Sequence, residues 1–83
     1  MQLLARTPQQ IGSALRRYRR NIGLNQTELG QKTGLRQATI SAVEAGEPGT
    51  EVKTLCEILA GLELELVIRP RTKASTEDIE AAF

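Results

Sequence analysis

Apolar residues recur at helical spacing in four stretches of the chain and then switch to strict alternation. Thr7-Pro8-Gln9-Gln10 reads as a helix start: Thr7 is a capping side chain, Pro8 suits the first helical position, and Gln10 stands where a capping box places its return bond. Ile11, Leu15, Tyr18 and Ile22 follow on one face, which predicts that this face is buried, and Gly23 supplies the left-handed stop. Asn25 caps a second helix with Glu28 as its capping-box partner, and Gly34 ends it. A third helix is predicted over Gln37 to Glu44, led in by Arg36, and Ala45-Gly46-Glu47-Pro48-Gly49 is a loop by composition. Thr50 reads as the cap of a fourth helix with Val52, Leu55, Cys56 and Leu59 inward and Gly61 closing it. Beyond it, Leu62, Leu64, Leu66 and Ile68 alternate with Glu63, Glu65, Val67 and Arg69, a strand pattern that Pro70 ends. Residues 71–83 are polar, with room for one helical turn after Ser75.

Length confines this pattern to one domain. A chain of 83 residues buries only about 60–65% of its unfolded surface, so its core is marginal without a partner. Aromatics are nearly absent (Tyr18 and Phe83), which argues against a stacking platform for single-stranded nucleic acid. No apolar run is long enough to span a membrane and the first residues lack the form of a signal peptide, so a cytoplasmic protein without membrane contact is expected. With one cysteine and no histidine, an internal disulfide and a Cys/His zinc site are excluded, and no cofactor is implied. The net charge of +1 hides an asymmetry: residues 1–40 carry seven basic groups against one acid, and residues 41–83 four against nine. One end can face a polyanion while the other is repelled by it.

The stretch from Gln26 to Glu44 is two short amphipathic helices joined by a tight turn containing a glycine, the layout that places one helix in a DNA major groove. Leu29 and Leu35 face the core beneath the turn, Gly30 is small where the helices cross, Gly34 makes the turn, and Ile40 and Val43 bury the inner face of the second helix. A plain pair of packed helices would not call for Arg36-Gln37-Ala38-Thr39 exposed at a helix N-terminus.

Gly23-Leu24-Asn25-Gln26-Thr27-Glu28-Leu29, followed by Gln37-Ala38-Thr39-Ile40-Ser41 and Glu44, resembles the lambdoid phage repressor and Cro family over residues 8–61. The resemblance implies that the third helix lies in the major groove and that Gln26 contacts phosphate, with Gln37, Ala38 and Ser41 facing base edges and Arg36 beside them. The chemistry of these side chains agrees: a Gln amide pairs with adenine N6 and N7, Arg with guanine, and an Ala or Thr methyl meets a thymine methyl. Thr39 either joins this surface or packs inward. Orphan amides at the starts of the second and fourth helices, near Gln26 and Thr50, suit phosphates. The run Arg16-Arg17-Tyr18-Arg19-Arg20 spreads over the exposed side of the first helix, either as a solvated face or against the DNA backbone, with Arg17 and Arg20 as candidates that sequence does not rank. Glu44 is assigned a structural role, pairing with an arginine of the first helix.

The strand has no obvious partner in its own chain, and a lone strand leaves its backbone donors and acceptors open. It can continue as a fifth helix, pair with Gln2–Ala5, or pair with a second copy. Glu63 and Glu65 at its start and Arg69 and Arg71 at its end favour an antiparallel copy, which brings opposite charges together and creates the two-fold axis that a palindromic operator requires. Leu62, Leu64, Leu66 and Ile68 then cover the core and the dimer seam. The fold expected is mainly α: a lambda-repressor-like helix-turn-helix bundle of four to five short helices over residues 1–61, a dimerisation strand over 62–70, and a flexible polar tail over 71–83.

A repressor-like motif followed by Leu-Glu-Leu-Glu-Leu-Val-Ile-Arg-Pro and a short polar tail resembles the HipB-type antitoxins. That resemblance implies a homodimeric repressor of its own operon that also binds a HipA-type serine/threonine kinase toxin, with Phe83 as a possible anchor in a partner pocket or simply a disordered end. A stand-alone repressor and a pure protein-interaction module are the rival readings. The second has no need of Arg36 and Gln37 beside a basic N-terminal half. No enzyme is expected: there is no histidine, no Ser or Cys nucleophile with a visible base, and no phosphate loop. Cys56 on the apolar face of the fourth helix is assigned to packing.

Overall fold

The computed structural model describes residues 2–72. It contains α1 (Pro8–Asn21), α2 (Gln26–Thr33), α3 (Gln37–Glu44) and α4 (Val52–Gly61). Three of the predicted starts and stops follow from local hydrogen bonds. Thr7 accepts from the Gln10 amide at 3.1 Å, while the Gln10 side chain accepts from the Arg6 amide, one residue earlier than a standard capping box. At α2 the box is complete: Asn25 accepts from the Glu28 amide at 2.7 Å and Glu28 accepts from the Asn25 amide at 3.0 Å. At the end of α1, Gly23 and Leu24 donate back to the carbonyls of Arg20 and Arg19, closing a Schellman turn. The expected cap of α4 is different. Glu51 holds the cap position with no side-chain bond, and Thr50 instead donates its hydroxyl to the Glu47 carbonyl at 3.0 Å.

α3 lies at the centre, packed on α1 and α2, and α4 closes against α2. Leu15, Leu29, Ile40, Val43, Ile58 and Leu62 form the buried core, with Ile11, Tyr18, Leu24, Leu35, Leu55, Leu59 and Leu64 packed around it. Burying each of the fully enclosed residues Leu29, Ile40, Ile58 and Leu62 contributes about 1.5–3 kcal/mol. The α1–α3 contact is close because residue 12 has no side chain. A Cβ on Gly12 would stand 2.6 Å from the Glu44 carbonyl oxygen and nearer still to that of Val43. Gly30 is needed for a different neighbour than expected: a Cβ there meets the Leu35 carbonyl oxygen of the turn at 2.8 Å.

Several residues expected inside are outside. Ile22 is 46% exposed, because α1 ends beside it and the Schellman turn leads the chain away. On α4, Val52 and Cys56 are exposed, and the inward side is carried by Leu55, Ile58, Leu59 and Leu62. Val52, Leu55, Cys56, Ile58 and Leu59 within one short helix allow two overlapping stripes, and packing against α2 selects one of them.

Residues 64–72 are irregular, so the alternative of a fifth helix is excluded over that span. No strand ladder forms among the described residues, with Gln2–Ala5 or with any other segment. The two arms nevertheless come together. Arg6 donates from its guanidinium to the Thr72 carbonyl at 2.7 Å, and residues 2–6 and 64–72 border a groove of about 560 Å³ over α1 and α4. Its apolar lining includes Leu3, Leu4, Ile11, Leu55, Leu59 and Leu66. Leu62 does not face it: at 1% exposure it belongs to the core of its own chain. Leu66 and Ile68 are 61% and 93% exposed. The expectations for residues 73–83, including the turn after Ser75 and the role of Phe83, lie outside the described residues. No helix among the described residues is long and apolar enough to cross a membrane.

Candidate nucleic-acid interface

The surface begins at the turn between α2 and α3. Gly34 caps α2 at φ 76°, in the left-handed region that a residue with a Cβ resists, and donates to the Gly30 carbonyl at 2.8 Å. The chain then needs only Leu35 and Arg36 to enter α3. Leu35 packs on the core and Arg36 takes the cap position with its side chain outward. Ile40 and Val43 fix α3 in the core, so helical periodicity drives Gln37, Ala38 and Ser41 to the exposed side. Thr39 is half-buried. The residues proposed as base readers thus lie on one helix whose orientation is set by buried apolar contacts.

Beneath this surface is a buried ion pair. Arg19 Nε donates to Glu44 Oε2 at 2.7 Å and Arg19 Nη2 to Glu44 Oε1 at 2.9 Å, with both side chains nearly sealed from solvent. A third guanidinium bond, from Nη1 to the Leu24 carbonyl at 2.7 Å, ties the end of α1 to the start of α2. The hydrogen bond to Glu44 raises the Arg19 pKa above its ordinary value, against the opposing effect of burial, and the charge attraction adds to the rise. For a basic group so raised, the stabilisation is fully present below the unfolded-state pKa and is lost only as pH rises through the still higher folded one. The pairing expected for Glu44 is therefore observed, with Arg19 as its partner. Arg19 is correspondingly withdrawn from the exposed run in which the sequence placed it.

Gln26, half-buried at the start of α2, joins the pair to the surface. Its Nε2 donates to Glu44 Oε1 at 3.2 Å, and its Oε1 accepts from Gln37 Nε2 at 3.4 Å. Sequence reasoning missed this connection. The available signal was that Arg19 stands four residues after Leu15, on the apolar face of α1, where a charge requires a buried partner.

Of the residues expected at phosphate, Gln26 stands beside α3 and keeps a second amide hydrogen. Arg17 and Arg20 are exposed on α1. Thr50 is half-buried and gives both its hydroxyl proton and its amide proton to the Glu47 carbonyl, at 3.0 and 3.3 Å, so it offers no free donor to a phosphate and the expectation for Thr50 itself is corrected. If α1 meets the DNA backbone, Arg20→Ala weakens binding to selected and random duplexes alike and lowers the slope of log K against log salt by about one unit, read from fluorescence anisotropy titrations. The same result for Arg17→Ala would place both on the backbone, and unchanged slopes for both would make this a solvated face.

A helix-turn-helix family model matches residues 15–68. Over 74 residues the chain is 36% identical to the antitoxin HipB of Escherichia coli (strain K12), covering 89% of this chain and 84% of that protein. The structure of a complex between HipB and an O4 20mer superposes with a TM-score of 0.81 at 32% identity, covering 86% of this chain and 100% of the other. HipB in a HipA–HipB–O2–O3 complex gives a TM-score of 0.80 at 32% identity and the same coverages. The family model spans the second half of α1 and the whole of α2, α3 and α4. The chain belongs to the helix-turn-helix family, among the HipB-type antitoxins, which are DNA-binding regulators and not enzymes.

Proposed function

We propose that this chain is a cytoplasmic, dimeric, operator-binding repressor and the antitoxin of a toxin–antitoxin pair, with a HipA-type serine/threonine kinase as its toxin. The observation that carries the reading is the exposed N-terminal side of α3, where Arg36, Gln37, Ala38 and Ser41 serve no packing role yet are held by a buried core. In this reading Gln37 is the main base reader, with Arg36, Ala38, Ser41 and the half-buried Thr39 around it. Gln26, Arg17, Arg20 and the amides at the start of α4, beside Thr50, hold phosphates and set the register.

Dimerisation rests on the C-terminal arm. Leu66 and Ile68 are exposed apolar residues on a segment whose backbone joins no ladder among the described residues, beside an open apolar groove. An antiparallel second copy covers these groups and yields the two-fold axis for two half-sites. The structures of HipB with a 20mer and with HipA support the partners, since this chain matches each HipB chain over its full length.

The test of base reading is selection of duplexes from a random library followed by titration. Gln37→Ala is expected to weaken binding to the selected site by about 1–3 kcal/mol and to relax the preference at one base pair of each half-site. Equal losses on selected and random duplexes would show that Gln37 does not read bases. For the toxin, co-expression with a neighbouring kinase-like reading frame is expected to yield a complex that survives gel filtration, and separate elution would leave a stand-alone repressor.

A further inference from the structure

The reading surface and the buried ion pair are joined by hydrogen bonds whose donor direction is fixed by chemistry. A carboxylate only accepts, and both oxygens of Glu44 accept from the Arg19 guanidinium. The Gln26 amide, 3.2 Å from Glu44 Oε1, must therefore turn its NH2 inward. Its carbonyl oxygen then points toward α3, where it can only accept, so Gln37 must offer an N–H to it. That leaves Gln37 with one free N–H and one free carbonyl oxygen.

We infer that Glu44 is a specificity-determining positioning residue: through Gln26 it fixes the hydrogen-bond polarity of Gln37, so that the α3 surface accepts adenine and rejects guanine. Adenine presents an acceptor, N7, and a donor, N6, to the major groove, which matches the one donor and one acceptor left on Gln37. Guanine presents two acceptors, N7 and O6, and needs two donors, of which one is already engaged by Gln26. A Gln with a free amide has no such restriction. The second hydrogen on Gln26 Nε2 stays available for a phosphate oxygen, so clamping the backbone and orienting the reader are compatible roles of one side chain. This inference rests on the operator-reading assignment of Gln37.

The test compares the adenine-to-guanine ratio at the position read by Gln37, in duplexes selected from a random library by four proteins: the parent chain, Gln37→Ala, Glu44→Gln and Gln26→Leu. Glu44→Gln keeps the shape of the side chain but adds a donor, which allows the Gln26 and Gln37 amides both to reverse. Adenine preference is expected to fall roughly tenfold with guanine gaining, while the preferences at other positions persist. Gln26→Leu cuts the relay but leaves the Arg19–Glu44 pair intact, so it keeps the test decisive if Glu44→Gln fails to fold. It is expected to lower the same ratio together with overall affinity. An unchanged ratio in folded Gln26→Leu overturns the inference, whatever happens to affinity or melting temperature. A parent chain that selects no motif, or a Gln37→Ala protein that keeps the adenine preference, overturns the reading assignment itself.

Discussion

Arg19→Ala is expected to lower the stability of the domain by about 3–5 kcal/mol, because it leaves a buried carboxylate without its partner. A chain of this size has a total stability of roughly 5–12 kcal/mol, so the variant is expected to be largely unfolded well below the parent's melting temperature. Two orphaned groups contribute: Glu44, nearly sealed from solvent, and the Leu24 carbonyl, which loses its guanidinium donor. Urea denaturation followed by circular dichroism measures the loss. The intact pair is not thereby shown to be strongly stabilising, since its attraction offsets a large desolvation cost. The control is Arg19→Met/Glu44→Leu, expected to recover much of the loss. A single variant that melts within about 0.5 kcal/mol of the parent would mean that water reaches Glu44 and that the pair is not buried in solution.

Leu66→Lys is expected to convert the dimer to monomers with the helices retained. In the proposed seam each copy contributes one such residue, and burying an unpaired ammonium costs several kcal/mol per ion, so dissociation is favoured by at least about a thousandfold. Leu66 is 61% exposed in the single chain, so the same change leaves the fold of each protomer undisturbed. Sedimentation equilibrium with circular dichroism distinguishes the outcomes. A dimer that survives would place the seam elsewhere on the molecule. Monomers are also expected to bind a full two-half-site duplex more weakly, since the two reading helices no longer bind as one unit.

Much of the fold was legible because helix boundaries are local. The Asn25–Glu28 box, the Thr7 cap, the Gly23 stop and the Gly34 turn each depend on residues within five positions of one another, and all appear where the sequence places them. The exposure of Gln37, Ala38 and Ser41 was legible too, since Ile40 and Val43 on the same helix fix which side turns inward. Where a helix offered two apolar stripes, as α4 does, the sequence reading selected the wrong edge and placed Val52 and Cys56 inside. Thr50 was misread because the preceding loop supplies a partner: its hydroxyl donates to the Glu47 carbonyl, and no amide of α4 is capped by it.

By itself, the sequence determined the helix-turn-helix and which side of α3 is exposed, because those follow from periodicity, caps and turn chemistry over short spans. Only the tertiary structure decided that Arg19 is buried against Glu44, that Gly12 admits α3 to within contact of α1, that Leu62 belongs to the core, and that Gln26 links the ion pair to Gln37. These facts depend on how α1, α2 and α3 are placed against one another in space. The residues involved stand as much as 32 positions apart, and helical spacing carries no information across that distance.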